Sequence, residues 1–441
     1  MVERTRKVFE VVSAGGVSLL LFGSFTVMLL LGVPIAHALG ASTLLVLYAQ
    51  DIPGVFMPQT AYNATDQFPL MAVPFFVLAG YLMEFGGVSE RLIRLASALI
   101  GHVAGGFACV TILACMFFSA MSGSGPATVA AIGTIMIPAM IRHGYAPPFA
   151  GAVASTGGTL GIMIPPSNPM IIYAVVANVS VTQMFIAGVV PGLLVGAVLI
   201  LASWWLCRLR AYEGEKRRAT AREVGAAALD ARWALLAPVI ILGGIYGGVF
   251  TPTEASIVAV NYALLVGLLV YRRLDLSKIY RAVLHAVVVG GTVTIIVGVA
   301  GAFGRILTQN QIPQLLSAQV LAISDNWFVV LMVINLALIA IGTFMETLAT
   351  IVLLTPLLLP IVVALGVDPI HFGILLVITS EIGFLTPPLG ANLFVAMPIA
   401  RVTLEAISKA VLYFIVILCV IVVVLTGFPS LSTWLPQLMR S

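Results

Sequence analysis

The sequence predicts an all-α polytopic membrane protein made of two inverted-topology repeats, each with a re-entrant hairpin and a transmembrane helix broken at Gly and Pro residues. The first observation behind this prediction is composition. Of the 441 residues, 61% are hydrophobic and only 9% are charged, whereas soluble chains average roughly 25% charged residues. The second observation is that the chain matches itself when it is shifted by 222 residues, so that Ala127 lies over Ala349.

Ten apolar stretches are long enough to be spans, because a spanning helix needs ~20 apolar residues. The predicted spans are 15–33, 35–50, 68–86, 147–177, 181–207, 233–250, 254–271, 281–308, 369–399 and 403–427. The first stretch runs past Leu31 without a small-residue cleavage site, so we predict a retained helix and not a signal peptide. The segment 89–103 is amphipathic and is predicted to lie at the cytoplasmic surface.

Two further apolar stretches, 107–143 and 327–365, fit poorly as single spans. Each has a polar or glycine-rich point in its middle, "SAMSGSGPAT" in the first and "IGTFMETLAT" in the second. We interpret both as re-entrant hairpins that enter and leave on the same side of the membrane.

The internal match divides the chain into a first repeat, 1–209, a charged cytoplasmic linker, 210–232, and a second repeat, 233–441. Glycines and prolines match in order, as in Pro138/Pro360, Gly151/Gly373, Gly161/Gly383, Pro165/Pro387 and Pro166/Pro388. Chance would match leucine and valine more readily than these residues. Each repeat holds five crossings, an odd number, so the second repeat enters from the opposite side, which is typical of secondary transporters.

The basic loops predict the orientation. The linker and "YRRLDLSKIYR" are rich in Lys and Arg, so both are expected in the cytoplasm by the positive-inside rule. Arg305 then lies near the outer face, where it either extends to the interface or attracts anions.

The prolines at 165–166 and 387–388 break the helices 147–177 and 369–399 and leave carbonyls near the midplane without helical partners. Such breaks offer N–H donors to an anion and oxygen ligands to a cation. A simple proline kink relieved by neighbouring helices is the structural alternative. The polar residues near the breaks are Ser155, Thr156, Thr159, Ser167 and Asn168, and Thr379, Ser380, Thr386 and Asn392.

Three acidic residues in or beside apolar stretches need separate interpretation. Glu346 at the second hairpin tip either binds the opposite backbone or acts in function. Glu381 precedes the second break and is a candidate for holding that break or an ion. Glu254 follows Thr251 and Thr253, which could cap the next helix, and a capping role is predicted for it. The five histidines are scattered, and none is favoured as a proton carrier.

Several functional classes are disfavoured. The chain lacks a basic stripe for nucleic acid, a CxxC or His/Cys metal pattern and a GxxxxGK[ST] motif for ATP. It also lacks HExxH, so an intramembrane enzyme is disfavoured and we expect no catalytic residue and no ATP. A channel is less consistent with two paired hairpins than a transporter is.

With these features assembled, the chain resembles the large membrane (permease) subunit of TRAP transporters, the tripartite ATP-independent periplasmic transporters. The stretches that carry the resemblance are "SGSGPATVAAIG", "GGTLGIMIPPS", "GGVFTPTEAS", "GTFMET" and "GFLTPPLGANLF". The resemblance implies a multi-pass protein of the bacterial inner membrane that works by an elevator mechanism. It implies sodium-coupled import of a small organic acid, dicarboxylates and sialic acid being members of this class.

The resemblance also implies sites. A first sodium site would use Ser122, Ser124, Gly161, Ile164 and Pro166, several through carbonyl oxygens. A second would use the matching positions Gly342, Thr343, Gly383, Thr386 and Pro388. The substrate would bind between the tips near Thr159, Ser167, Asn168 and Asn392.

Two partners follow from the resemblance: a small four-helix membrane subunit, expected as a separate chain, and a periplasmic substrate-binding protein. The alternative is a stand-alone ion-coupled anion or dicarboxylate transporter of a related hairpin fold, which needs no binding protein.

Overall fold

The computed structural model describes residues 14–214, 217–388 and 390–439, and within these ranges the chain forms twenty α-helices and no strand. The first ten are α1 Ala14–Leu30, α2 Ile35–Ala49, α3 Phe56–Thr65, α4 Ala72–Phe85, α5 Val88–Ile100, α6 Gly106–Ser122, α7 Gly125–Arg142, α8 Pro147–Met163, α9 Asn168–Val176 and α10 Val181–Leu209. The other ten are α11 Ala221–Tyr246, α12 Pro252–Leu265, α13 Leu276–Gln309, α14 Ile312–Ile323, α15 Trp327–Gly342, α16 Thr347–Ala364, α17 Pro369–Phe384, α18 Ala391–Ala400, α19 Leu404–Gly427 and α20 Ser430–Leu438.

The all-α membrane class is confirmed by helix length and composition. Eight helical stretches in the described part of the chain are long and apolar enough to cross a membrane, and the bent pair α8–α9 raises the number to nine. The two members of this pair meet at an angle of 42°. Both predicted breaks lie between separate helices, α8 and α9 in the first half and α17 and α18 in the second.

Three short helices, α3, α14 and α20, have no counterpart among the predicted spans, because each is too short to give a spanning signal.

The helix α11 begins inside the predicted linker 210–232. The side chain of Thr220 accepts a hydrogen bond from the backbone N–H of Glu223, and the Glu223 carboxylate accepts one in return from the backbone N–H of Thr220. This capping box satisfies two donors that helix starts otherwise leave unpaired, so the helix begins well before its apolar part.

The amphipathic segment forms α5 and packs between α6 and α11. Its apolar side, including Leu92 and Ala96, is buried. On its polar side, Arg94 lies 2.9 Å from a carboxylate oxygen of Asp230 in α11. Arg91 lies 3.5 Å from the same carboxylate and 3.6 Å from the centre of the Tyr271 ring. Charge pairing therefore fixes this helix to α11.

The core lies around α8 and α17. Every side chain from Phe149 to Met163 in α8 and from Ile370 to Phe384 in α17 is buried. A helix that is apolar and buried on all sides needs protein neighbours on all sides. The neighbours of α8 include α17 itself and also α6, α7, α10, α18 and α19, and those of α17 include α10, α15, α16 and α19.

The two halves of the chain are packed into each other. The hairpin helix α7 packs against α18 of the second half, and the hairpin helix α16 packs against α9 of the first. The hydroxyl of Ser155 in α8 donates to the backbone carbonyl of Asn392 in α18, at 3.2 Å. The inverted relation between the two halves stays a prediction, but this packing brings both hairpin tips and both breaks into one region.

Candidate functional site

A cavity of about 500 Å³ lies where the two hairpin tips meet the helices α4 and α13. Ser122, Ser124 and Gly125 of the first tip, with Asn168, line one wall. Glu346 and Thr347 of the second tip also line it. The opposite wall holds Tyr81, Glu84, Phe85, His285 and Val289.

The first tip is a compact group of neutral oxygen atoms. The hydroxyls of Ser122 and Thr128 lie 2.8 Å apart, and the Thr128 hydroxyl donates to the Ser124 carbonyl at 2.8 Å. Gly123 adopts a φ of +59°, a left-handed conformation that glycine accepts without strain, and it turns the chain from α6 into α7. A methyl group at Gly161 of α8 would lie 2.4 Å from the Ser124 carbonyl oxygen, so only glycine fits there.

The first break lies directly beside this tip. A methyl group at Gly123 would lie 3.1 Å from the carbonyl oxygen of Pro166. The hydroxyl of Ser167 donates to the Ile162 carbonyl at 2.6 Å, which satisfies one carbonyl released by the break. Ile164 ends α8 in an extended conformation. The structure therefore brings Ser122, Ser124, Gly161 and Pro166 of the expected first sodium site together at the tip, whereas Ile164 ends α8 just before the break and contacts Gly192 of α10.

The second tip is built differently. Gly342 ends α15 and packs against Gly383 of α17, where a methyl group would lie 2.6 Å from the Cα atom of Gly342. The Thr343 hydroxyl donates to the Ala340 carbonyl at 2.7 Å, and the Thr386 hydroxyl donates to the Ile382 carbonyl at 2.7 Å. Pro388 is exposed. The two glycines thus meet, while both threonine hydroxyls are bonded within their own segments.

The four predicted substrate residues have different surroundings. Asn168 lines the cavity, and its side-chain oxygen is buried without a hydrogen-bond partner among the described residues. Thr159 is fully buried and donates to the Thr156 carbonyl of its own helix. Ser167 supports the first break, and Asn392 is fully buried behind the cavity. Of the four side chains, Asn168 is therefore the one placed to touch a ligand in the cavity.

Glu381 connects both tips. Its carboxylate accepts hydrogen bonds from the Asn392 amide at 2.8 Å and from the Thr347 hydroxyl at 3.3 Å. A methyl group at Gly125, the start of α7, would lie 2.7 Å from the same carboxylate. The side chain of Glu381 is only 1% exposed. Because Glu381 precedes the second break and bonds to Asn392 after it, its position agrees with the interpretation that it holds this break.

Sequence reasoning did not single out the wall formed by Tyr81, Glu84 and His285. The rings of Tyr81 and His285 are stacked, with centroids 4.7 Å apart. The available signal was Glu84, an acidic residue inside the predicted span 68–86. His285 lies far from Tyr81 in sequence, so its approach to that ring depends on tertiary packing.

The oxygens at the first tip fit a monovalent cation. They are hydroxyl and carbonyl oxygens, the hard ligands that alkali and alkaline-earth cations prefer. Because residue 161 is glycine, no side chain at that position covers the Ser124 carbonyl.

The described residues that line the cavity include three glutamates, Glu84, Glu346 and Glu381, and neither Lys nor Arg.

Comparison with known proteins identifies relatives over nearly the whole chain. The family described as "Tripartite ATP-independent periplasmic transporter, DctM component" matches residues 22–431. The isethionate TRAP transporter permease protein DctMQ of Oleidesulfovibrio alaskensis is 45% identical over 93% of this chain, which spans 65% of that protein's length. The C4-dicarboxylate TRAP transporter large permease protein DctM of Vibrio cholerae is 41% identical over 93% of this chain and 96% of that protein. The sialic acid TRAP transporter large permease protein SiaM of the same organism is 38% identical over 93% of this chain and 96% of that protein.

Two solved transporters share the fold. The YdaH transporter of Alcanivorax borkumensis superposes with a TM-score of 0.65 at 18% identity, over 92% of this chain and 97% of that one. MtrF of Neisseria gonorrhoeae, described as an antimetabolite efflux pump, superposes with a TM-score of 0.58 at 15% identity, over 87% and 85% of the two chains.

Proposed function

The chain belongs to the DctM family of tripartite ATP-independent periplasmic transporters, and from that membership we propose that it imports a small organic acid across the bacterial inner membrane, driven by sodium. It is a multi-pass membrane permease and not an enzyme. The relatives named for isethionate, C4-dicarboxylates and sialic acid all concern acids that are anions at neutral pH.

The charge of the cavity is the observation that carries the sodium proposal. An anionic substrate would enter a space lined by Glu84, Glu346 and Glu381 without a compensating Lys or Arg among the described lining residues. Each of these carboxylates repels an anion strongly whenever it is ionised, because the surroundings have a low dielectric constant. A cation bound beside the cavity would offset this repulsion, so substrate and cation would bind better together than apart.

The first tip is the better supported place for that cation. Its proposed ligands are Ser122 and Ser124 with the carbonyl oxygens near Gly161, Ile164 and Pro166, and the close approach of Gly161 to the Ser124 carbonyl and of Gly123 to the Pro166 carbonyl supports this set. A second cation at Gly342, Thr343, Gly383, Thr386 and Pro388 is proposed from the internal match and the contact between Gly342 and Gly383. A bound cation would supply the positive charge, while the residues of this chain orient the substrate through Asn168.

The elevator mechanism is supported by the way the cavity is divided. One wall consists of hairpin tips and breaks that share the core around α8 and α17, and the other wall consists of α4 and α13. If the helices that carry the tips and breaks slide along α4 and α13, the substrate and its cation move with them. We further propose a small membrane subunit and a periplasmic binding protein as partners, as in the family.

The second candidate is a stand-alone ion-coupled anion or dicarboxylate transporter of a related hairpin fold, which needs no binding protein. Deletion of the binding protein separates the two candidates. Uptake that survives the deletion supports the stand-alone transporter.

The direct experiment measures uptake of succinate, sialic acid and isethionate into proteoliposomes that hold this chain, its small subunit and the cognate binding protein. An inward sodium gradient is compared with equal sodium on both sides. Ser122→Ala should raise the sodium concentration needed for half-maximal uptake. Ser408→Ala is the matched control, because among the described residues this hydroxyl bonds only to the Leu404 carbonyl of its own helix. Accumulation that ignores the sodium gradient would refute the coupling.

A further inference from the structure

A second cavity, of about 740 Å³, lies between α3 and α13 on one side and α9 and α16 on the other. It is separate from the cavity at the hairpin tips. Its lining residues are Phe56, Gln59, Thr60, Asn63, Ala64, Gln67, Val175, Val176, Asn178, Val297, Gly301, Gly304, Arg305, Thr308, Gln309, Val352 and Pro356.

The long helix α13 lines both cavities at different heights. His285 and Val289 face the cavity at the tips, whereas the residues from Val297 to Gln309 face the second cavity. The twenty residues from His285 to Arg305 correspond to roughly 30 Å along an α-helix, about the thickness of the hydrocarbon core. Because α13 starts after a basic loop that is predicted to be cytoplasmic, the second cavity is assigned to the outer side, and we name it the outer cavity.

The outer cavity has the chemistry of an anion site. Arg305 is the single charged side chain among the described residues that line it, and it forms no ion pair within the described chain. Around it lie the side-chain amides of Gln59, Asn63, Gln67 and Asn178, which hydrogen-bond to no other described residue. A guanidinium supplies fixed N–H donors that match carboxylate and sulfonate groups, and amides add neutral donors around them.

The two cavities differ in the ionisable side chains that line them, and the difference gives the outer cavity a role. The cavity at the tips carries three glutamates, whereas the outer cavity carries one arginine and no acidic lining residue among those described. Asp66, which precedes Gln67, is not among the lining residues. The helices α9 and α16 line both cavities, so a ligand in the outer cavity already contacts the part of the molecule that carries the tips.

We propose that the outer cavity is an entry site that binds the acid group of the substrate through Arg305 before the substrate reaches the hairpin tips. This inference rests on the proposed function. The concave shape and the surrounding amides favour a small organic anion over the flat surface of a partner protein, and a cluster of donors is unnecessary for an arginine that only extends to the membrane interface.

The charge of the outer cavity can be measured without transport. Thr308→Cys places a thiol in the lining, where it reacts with methanethiosulfonate reagents to form a mixed disulfide and release methanesulfinate. We compare an anionic reagent (sulfonatoethyl) with a cationic one (trimethylammonioethyl), each applied from outside. Removing one positive charge at roughly 7 Å should slow the anionic reagent and speed the cationic one by about fivefold each. The chain without the added cysteine measures the background from its four native cysteines.

The variants are Arg305→Gln, Arg305→Lys as the charge-retaining control, and Arg218→Gln as a matched loss of an exposed arginine in the charged linker. Support for the entry site requires that Arg305→Gln alone shifts the reagent ratio, on the order of tenfold or more. Succinate or isethionate should also protect the introduced thiol while Arg305 is present, and this protection should be lost when Arg305→Gln is combined with Thr308→Cys. An unchanged ratio overturns the proposal.

Uptake then separates the entry site from the function on which it rests. Arg305→Gln should lower initial uptake at low concentrations of loaded binding protein and leave the sodium dependence unchanged. Arg305→Gln could instead weaken uptake only by reducing association with the binding protein. If the reagent ratio is then unchanged and the substrate does not protect the introduced thiol, Arg305 is a docking contact and the entry site is refuted. If the unmodified chain transports no organic acid at all, the proposed function fails, while the reagent ratio still reports whether the cavity attracts anions.

Discussion

Gly161→Ala tests the contact between the first hairpin tip and the first broken helix. The added methyl group would lie 2.4 Å from the Ser124 carbonyl oxygen, 2.7 Å from the Ser124 carbonyl carbon and 2.7 Å from the Thr128 hydroxyl. Relief requires a backbone shift of about 1 Å, because the obstacle is main chain and not a flexible side chain. Overpacking of this kind costs about 1–3 kcal/mol, and a weakened Thr128–Ser124 hydrogen bond adds roughly 1 kcal/mol.

The added methyl group therefore raises the free energy of any state in which the tip lies against α8 by a total of about 2–4 kcal/mol. Only the part of this cost that the sodium-free state avoids weakens sodium binding, so the apparent sodium affinity should fall by at most about thirtyfold to several hundredfold, since each 1.4 kcal/mol is a factor of ten. The assay is uptake into proteoliposomes at graded external sodium, together with thermal melting in detergent at low and high sodium. We expect the variant to melt earlier and to lose most of the stabilisation by sodium.

Gly291→Ala is the matched control, because Gly291 lies in α13 and a methyl group there meets no atom within 4 Å. Alanine is the better helix former by roughly 0.5–1 kcal/mol, so this variant should melt slightly later and transport normally. The reasoning is refuted if Gly161→Ala keeps the sodium dependence of the unmodified chain, since the tip contact would then be irrelevant to the cation.

Two further predictions concern stability. Glu381→Ala leaves the buried amide of Asn392 without its acceptor, which should cost about 1–3 kcal/mol or more. Melting temperature and uptake are compared with those of Glu405→Ala, which removes an exposed carboxylate whose one ion pair in the described part of the chain is with Lys409. Equal melting of the two variants would contradict this prediction. Thr251→Ala removes the capping box at the start of α12 and should lower the free energy of unfolding by about 0.5–2 kcal/mol, seen as earlier melting, whereas unchanged melting would show that packing alone holds this end.

The spans and breaks could be predicted from the sequence because they depend on local properties. Length and hydrophobicity define α10, α13 and α19, and the paired prolines mark where α8 and α17 end. The first hairpin tip was also accessible, since its Ser and Gly residues stand out in an apolar stretch. Short helices such as α3 were missed because they give too weak a periodic signal.

The residues that line the two cavities could not be predicted from one sequence. Tyr81 and His285 stack across α4 and α13, and no local pattern reports which faces of two apolar helices meet. For the same reason Asn168 and Asn392 appeared equivalent, although the fold exposes one to the cavity and buries the other. Residue type and spacing suggested candidates, and tertiary packing then selected among them.

The hydrogen bond from Ser155 to Asn392 has a consequence for how the chain is made. The two residues are 237 positions apart, so at ~5–20 residues per second the ribosome needs roughly 12–47 s between them. During that interval α8 has left the ribosome without the α18 and α19 neighbours that surround it in the finished protein. Biogenesis of this transporter should therefore depend on an insertion machinery that shelters the incompletely packed first half, with the Ser155 hydroxyl still lacking its partner, until the second half emerges.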